Sequence, residues 1–214
     1  MALEAFEEAR RFLERIVGPP LDELGGLLAD HVRLFRFRKQ VQILEKARKI
    51  LLDKGIDPKK VSLKTLVPIL EEGSLEEDES MSDRWASLLA TAADPSSTIS
   101  VQPSFPEILK ELSPKQALIL DNIFDLVVAE HVPRNEWAFR GANGQSVKQA
   151  FRLSDDEFEI AIDNLYRLRL CSAPSMTVTG LEPAGRRLQL QMKEVICLTD
   201  FGFAFVCACR SHQS

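Results

Sequence analysis

Seven cations crowd one stretch of seventeen residues: Arg33, Arg36, Arg38, Lys39, Lys46, Arg48 and Lys49. Clustered cations of this kind can contact phosphates, and they are the strongest electrostatic feature of the chain. On a helical wheel Arg38, Lys39, Lys46 and Lys49 fall within about 100°, while Arg33, Arg36 and Arg48 lie on other sides, so the patch is divided. A second stretch, Ser154 to Arg169, carries five acidic residues against two arginines. Its residues Asp155, Asp156, Glu159, Asp163 and Arg167 form a candidate protein-interaction face, because a helix this acidic repels phosphate. The remaining reactive types do not converge. His31, His131 and His212 stand apart, with no spacing that builds a zinc or iron site. They read as surface or capping histidines. Cys207 and Cys209, two apart in a helix, point to nearly opposite faces and read as buried apolar side chains. The run Glu76, Glu77, Asp78, Glu79 with Asp83 suits the positive end of a helix dipole better than a metal. Phosphate-loop, dinucleotide-fold, zincin and nucleophile-elbow signatures are missing. The expectation is a chain with no catalytic residues, no metal, no cofactor and no small-molecule site.

The elements that carry these residues are mostly helical. In 214 residues, hydrophobic types make up 45% and charged types 28%, ordinary values for a chain that buries a sizeable core. The net charge of −5 excludes a generally basic nucleic-acid coat, though not a local patch. Charge comes in blocks. Residues 31–60 hold ten basic against three acidic groups, a balance of +7, and residues 61–100 hold two against eight, a balance of −6. Pairing of the basic helix with acidic residues 71–83 therefore competes with nucleic-acid binding. No apolar run approaches membrane-spanning length, and four cysteines without a paired CxxC pattern argue against a disulfide scaffold. A soluble, cytoplasmic protein is expected.

Leu3, Phe6, Ala9, Leu13 and Val17 recur at helical spacing until Gly18-Pro19-Pro20. From Leu21 a long helix is predicted to Asp53, apolar on two sides, as the central strut of a bundle. Lys54-Gly55 reads as its C-cap. A short helix follows from Ser62 to Glu72, with Pro68 expected to bend or interrupt it. Ser74 is expected to cap the next helix through a Ser74-x-x-Glu77 capping box, carrying Met81, Trp85, Leu88, Leu89 and Ala92. Asp94 ends it, and residues 94–103 read as a hinge. This gives an N-terminal helical bundle over 1–100 and a second domain over 101–214.

In the second domain Ser113-Pro114 starts a helix, Gly141-Ala142-Asn143-Gly144 reads as a polar loop, and Ser146 to Phe151 as a short helix. Ser154 caps a third helix with Phe158, Ala161, Ile162, Leu165 and Leu168 on one face. Cys171 to Thr179 and Glu194 to Thr199 are expected to pair as a two-stranded hairpin, and Asp200 to Cys209 to return to helix. Helix, short helix, helix, hairpin is the winged-helix plan, so the fold class is mainly α with a small β-hairpin.

Four stretches carry a further signal: Leu66-Val67-Pro68-Ile69-Leu70-Glu71 with Leu75-Glu76-Glu77-Asp78-Glu79, then MSDRWASLLATAAD from Met81 to Asp94. Pro103-Ser104-Phe105-Pro106 through Leu112-Ser113-Pro114 follows, and Leu198-Thr199-Asp200-Phe201-Gly202 with Phe205-Val206 closes the set. They resemble the abortive-infection alpha family, a bacterial and archaeal group linked by name to phage resistance. Gln102 stands where that family commonly has histidine, which argues against that histidine as a universal catalytic group, and the resemblance brings no catalytic residue to this chain. In the linker-to-helix entry, Ser104 is expected as N-cap and Phe105 as a core anchor. The resemblance implies a non-enzymatic phage-defence protein working through a protein partner or self-association. The alternatives are a nucleic-acid-binding regulator using the basic helix 33–49 and, lowest, a nuclease-type toxin.

Overall fold

The computed structural model describes residues 8, 11, 12, 15, 31–129, 131, 133–137, 141–174 and 195–210, the side chains of 31–35 and 135 excepted. Among them it is mainly helical, with one small antiparallel sheet. Two compact units emerge, Met1–Pro114 with Cys207–Ser214, and Lys115–Val206.

In the first unit, α1 (His31–Asp53) packs against both α2 (Leu63–Gly73) and α3 (Glu79–Ala93), and α2 also meets α4 (Phe105–Lys110). The predicted start of α1 at Leu21 lies outside the described residues. Ile43, Leu44, Ala47 and Leu51 recur at three- and four-residue steps and are buried, so α1 presents one seam to its neighbours. Leu66 and Ile69 of α2, Met81, Trp85, Leu88 and Leu89 of α3, and Phe105 and Leu109 of α4 complete the core. Phe105 is fully buried, as its place after the linker suggests, but Ser104 makes no side-chain cap. Gly55, at φ +65°, closes α1 by donating its N–H to the Leu52 carbonyl at 2.9 Å.

Two local expectations are corrected here. Pro68 does not interrupt α2, which runs on to Gly73. The carbonyl it deprives belongs to Lys64, an exposed position where water can replace the missing donor. Ser74 is not the N-cap of α3 but the C-cap residue of α2, fully buried, with its hydroxyl donating to the Glu71 carbonyl at 2.6 Å. Asp78 caps α3 instead, accepting from the Met81 N–H at 3.1 Å. A carboxylate there also complements the helix dipole, which the buried Ser74 hydroxyl could not do.

The second unit contains α5 (Pro114–Ala129, its first residue aside), a 3₁₀ turn (Arg134–Glu136), β1 (Ala142–Asn143), α6 (Gly144–Ala150), α7 (Asp155–Arg167), β2 (Cys171–Ser172), β3 (Val195–Leu198) and most of α8 (Asp200–Cys209). The sheet order is β1-β3-β2, both pairings antiparallel, with Ala142 opposite Ile196 and Cys171 opposite Leu198. The expected polar loop at 141–144 is therefore a strand and a helix start, and the sheet has three strands rather than two. β1 is only two residues long, too short for an alternating pattern to announce it. Residues 175–194, which include the expected strand positions 175–179 and 194 as well as the expected connection between the strands, lie outside the described residues. Asn143 caps α6, accepting from the Ser146 N–H at 3.0 Å, so that helix begins two residues before the expected Ser146.

Ser154 caps α7 as expected. Its Oγ accepts from the Glu157 N–H, while Glu157 Oε2 accepts from the Ser154 N–H at 2.9 Å, a complete capping box. Phe158, Ala161, Ile162 and Leu165 of α7 are buried with Leu120 and Ile123 of α5 and Ile196 and Leu198 of β3. At the start of α8, Thr199 Oγ1 accepts from the Gly202 N–H at 2.8 Å and reaches back to the Arg169 carbonyl at 2.7 Å.

Candidate functional site

The cations of α1 meet three different fates. Arg36 turns inward along α2, donating from Nε to Ser74 Oγ at 3.0 Å and from Nη2 to the Glu71 carbonyl at 3.2 Å. Those acceptors lie at the negative end of the α2 dipole, where a cation is favoured. Lys46 joins Glu79 and Asp83, one turn apart on α3, the latter at 2.7 Å. Burial works against the Lys46 ammonium, but hydrogen bonds and charge from Asp83 and Glu79 raise its pKa overall. The same hydrogen bond and charge from Lys46 hold Glu79 below its usual range. Arg48 pairs with Glu8 at 2.7 Å. Arg38 and Lys49 are exposed and Lys39 half-exposed, and none of the three forms an ion pair with a described residue. The Arg33 side chain lies outside the described residues. Among the described side chains, the structure thus does not bring these cations together.

The α7 residues behave differently. Asp155, Asp156, Glu159, Asp163 and Arg167 are all exposed. Asp155 is met by Lys148, and Arg167 folds back on Asn164, with Nη2 at 2.7 Å from Oδ1. Asp156, Glu159, Asp163 and Arg167 follow one another at three- and four-residue steps, so they share one face. In the midst of that face stands Ile160, 68% exposed, the most exposed large hydrophobic side chain among the described residues. Sequence reasoning passed over it. Its signal was phase: Ile160 falls about 200° from Phe158 on the wheel, outside the apolar series that builds the core. Glu157 is not part of this face. The Ser154 backbone and hydroxyl, with Lys115 at 3.1 Å, hold its carboxyl down to about 2.

No disulfide joins the four cysteines: Cys171, Cys197 and Cys209 are buried, while Cys207, expected to be buried, is half-buried. Burial raises the Cys171 thiol, helped by its neighbour Cys197, and burial alone raises Cys197, so both disfavour the nucleophilic thiolate. His131 sits past the end of α5 with Nδ1 2.9 Å from the Ala129 carbonyl. Among the described residues no group of three or more His, Cys, Asp or Glu is placed to hold a metal ion, and no helix is long and apolar enough to cross a membrane.

No curated protein and no solved structure matches the chain. The sequence profile described as abortive infection alpha does, over residues 32–209, from the first turn of α1 to the last residue of α8. That span takes in every stretch on which the resemblance rested, and on it the chain belongs to the abortive infection alpha family.

Proposed function

We propose that the protein serves abortive infection as a non-enzymatic interaction module, docking a basic protein partner on the outer face of α7. Membership of the family supports the defence role. The observation that carries the mode of action is Ile160, exposed amid Asp156, Glu159 and Asp163. An apolar anchor ringed by like charges matches the anatomy of a protein-binding surface, with burial at the centre and charge setting orientation at the rim. The order α5, β1, α6, α7, β2, β3, with sheet order β1-β3-β2, supports reading the second unit as a winged helix. In that plan α7 is the helix that DNA readers press into the major groove, and here its outer face would repel phosphate.

A second reading, nucleic-acid binding through α1, draws on the exposed Arg38 and Lys49. One experiment separates the two. Full-length protein is used as bait in extracts of infected and uninfected cells, with and without nuclease treatment, beside Ile160→Asp, the pair Glu159→Lys and Asp163→Lys, and the pair Arg38→Glu and Lys49→Glu. The α7 reading expects a protein retained by wild type and by the α1 variant but lost from both α7 variants, with loss of phage protection in the same variants. Nuclease-sensitive nucleic acid lost only from the α1 variant overturns it.

A further inference from the structure

The first unit contains a cleft of about 510 Å³ that the interaction reading does not use. Its volume falls within the range of small-molecule sites, roughly 300–1,000 Å³. Glu8, Arg11, Phe12 and Arg15, all helical, form one wall. Arg48, Leu51 and Leu52 of α1 form another, and the turn Gly55 to Pro58 closes the end. The floor is apolar: Phe12 and Leu51 are almost fully buried, and Ile56 and Pro58 are half-buried beside them. The rim is cationic. Three guanidinium groups meet two carboxylates, with Arg48 held by Glu8 at 2.7 Å and Arg15 by Asp57 at 2.6 Å. Arg11 has no ion-pair partner among the described residues.

We propose that this cleft binds a small organic phosphate, with its apolar body on Phe12, Leu51 and Ile56 and its anion on Arg11. Two physical reasons select that class. The guanidinium fork matches phosphate oxygens in bidentate geometry, and among the described residues Arg11 is the one rim cation not already held by a carboxylate. The buried floor gives an apolar body a desolvated surface, which a free inorganic anion cannot exploit. The two existing ion pairs make a sign prediction. Glu8 and Asp57 compete with the ligand for Arg48 and Arg15, so removing either carboxylate frees a cation and strengthens binding.

Calorimetric titration of the full chain tests this with 1-naphthyl phosphate, 1-naphthol and inorganic phosphate as probes. Expected are saturable binding of 1-naphthyl phosphate and at least tenfold weaker binding of each half alone. Arg11→Gln should weaken naphthyl phosphate on the order of tenfold, the worth of a charge-assisted hydrogen bond. Leu52→Glu, at an exposed rim position, should weaken it as well, and Glu8→Gln should tighten it several-fold. Circular dichroism spectra and thermal midpoints unchanged from wild type establish that the exposed-site variants remain folded. Equal affinity for naphthol and naphthyl phosphate overturns the proposal by showing an apolar cleft without anion selectivity. So does weaker binding by Glu8→Gln. Binding to phosphatidylglycerol vesicles without binding of naphthyl phosphate also overturns it, because the anion then belongs to a lipid surface.

Discussion

Replacing Gly202 by alanine sets two effects of opposite sign against each other. In a helix interior alanine is better than glycine by about 1 kcal/mol, so propensity alone predicts a more stable protein. Gly202, however, lies in α8 where that helix crosses the chain end of α7. A Cβ built there would stand 2.0 Å from the Leu170 carbonyl oxygen, 2.8 Å from its carbon and 3.0 Å from its Cα. Carbon and oxygen ordinarily come no closer than about 3.3 Å, so the backbone must move by more than an ångström. The carbonyl that has to move accepts from the Thr199 N–H at 3.2 Å and from Thr199 Oγ1 at 3.0 Å. Each such bond is worth about 1 kcal/mol net, and overpacking costs about 1–3 kcal/mol. The net loss is about 3 kcal/mol after the helix-propensity gain. At a urea slope of about 2 kcal/mol/M the midpoint falls by about 1.5 M. Trp137 is a local reporter, its ring 4.9 Å from Phe203 of α8, and Trp85→Phe leaves it the sole tryptophan of the two in the chain. Fluorescence-monitored urea unfolding in that background gives the number. A Gly202→Ala midpoint equal to or above that of the parent refutes the close-approach reasoning and leaves propensity in command.

Two further outcomes follow from the geometry. Because Glu157 titrates in the folded protein at about 2 against an ordinary 4.5, its stabilisation is present above pH 4.5 and is lost as pH falls toward 2. Glu157→Gln keeps a capping-box acceptor but not the charge, so its Trp137-monitored urea midpoint should lie below wild type near pH 6, decline less steeply below 4.5 and converge with wild type toward pH 2; an unchanged slope would remove Glu157 from the acid response. Ser74→Ala removes the hydroxyl that accepts from Arg36 Nε and donates to the Glu71 carbonyl, with an expected loss of about 1–2 kcal/mol. The double variant with Arg36→Leu should lose less than the two singles together, and strict additivity in urea unfolding would show that the two side chains are not coupled.

Sequence patterns revealed helices best where several local signals agreed. α7 is the clear case: Ser154 and Glu157 at capping-box spacing, three acidic residues in the first turn, and an apolar face at three- and four-residue steps all specify the same element. At Ser74 the same spacing misled. Ser74 and Glu77 have capping-box identities, but Leu75 and Glu76 between them donate their N–H groups back to the Glu72 and Gly73 carbonyls that close α2, and Arg36, thirty-eight residues away, engages the hydroxyl. A motif of four residues carries no information about such a distant partner. β1 was hidden for a related reason. Its two residues become a strand only through pairing with Val195 and Ile196, a contact between segments over fifty residues apart.

The candidate surfaces were legible to different degrees because only one helix had an unambiguous buried side. On α7 the core face was plain, so everything opposite it had to be outward, and Ile160 needed only to be noticed as out of phase. On α1 two apolar series competed, and the cations could not be assigned to inner or outer sides. Burial of Ile43, Leu44, Ala47 and Leu51 settles that ambiguity. Relative to that seam, Arg38 and Lys49 fall about 180° away, which is why they remain exposed without carboxylate partners among the described residues. Lys46 lies beside the seam and is drawn to Glu79 and Asp83, and Arg36 lies along it and is drawn to the end of α2. The block balance of +7 against −6 foretold that some pairing would occur, but charge totals do not choose partners. The direction of the apolar seam does, and two exposed cations offer fewer phosphate contacts than the seven in the sequence suggested.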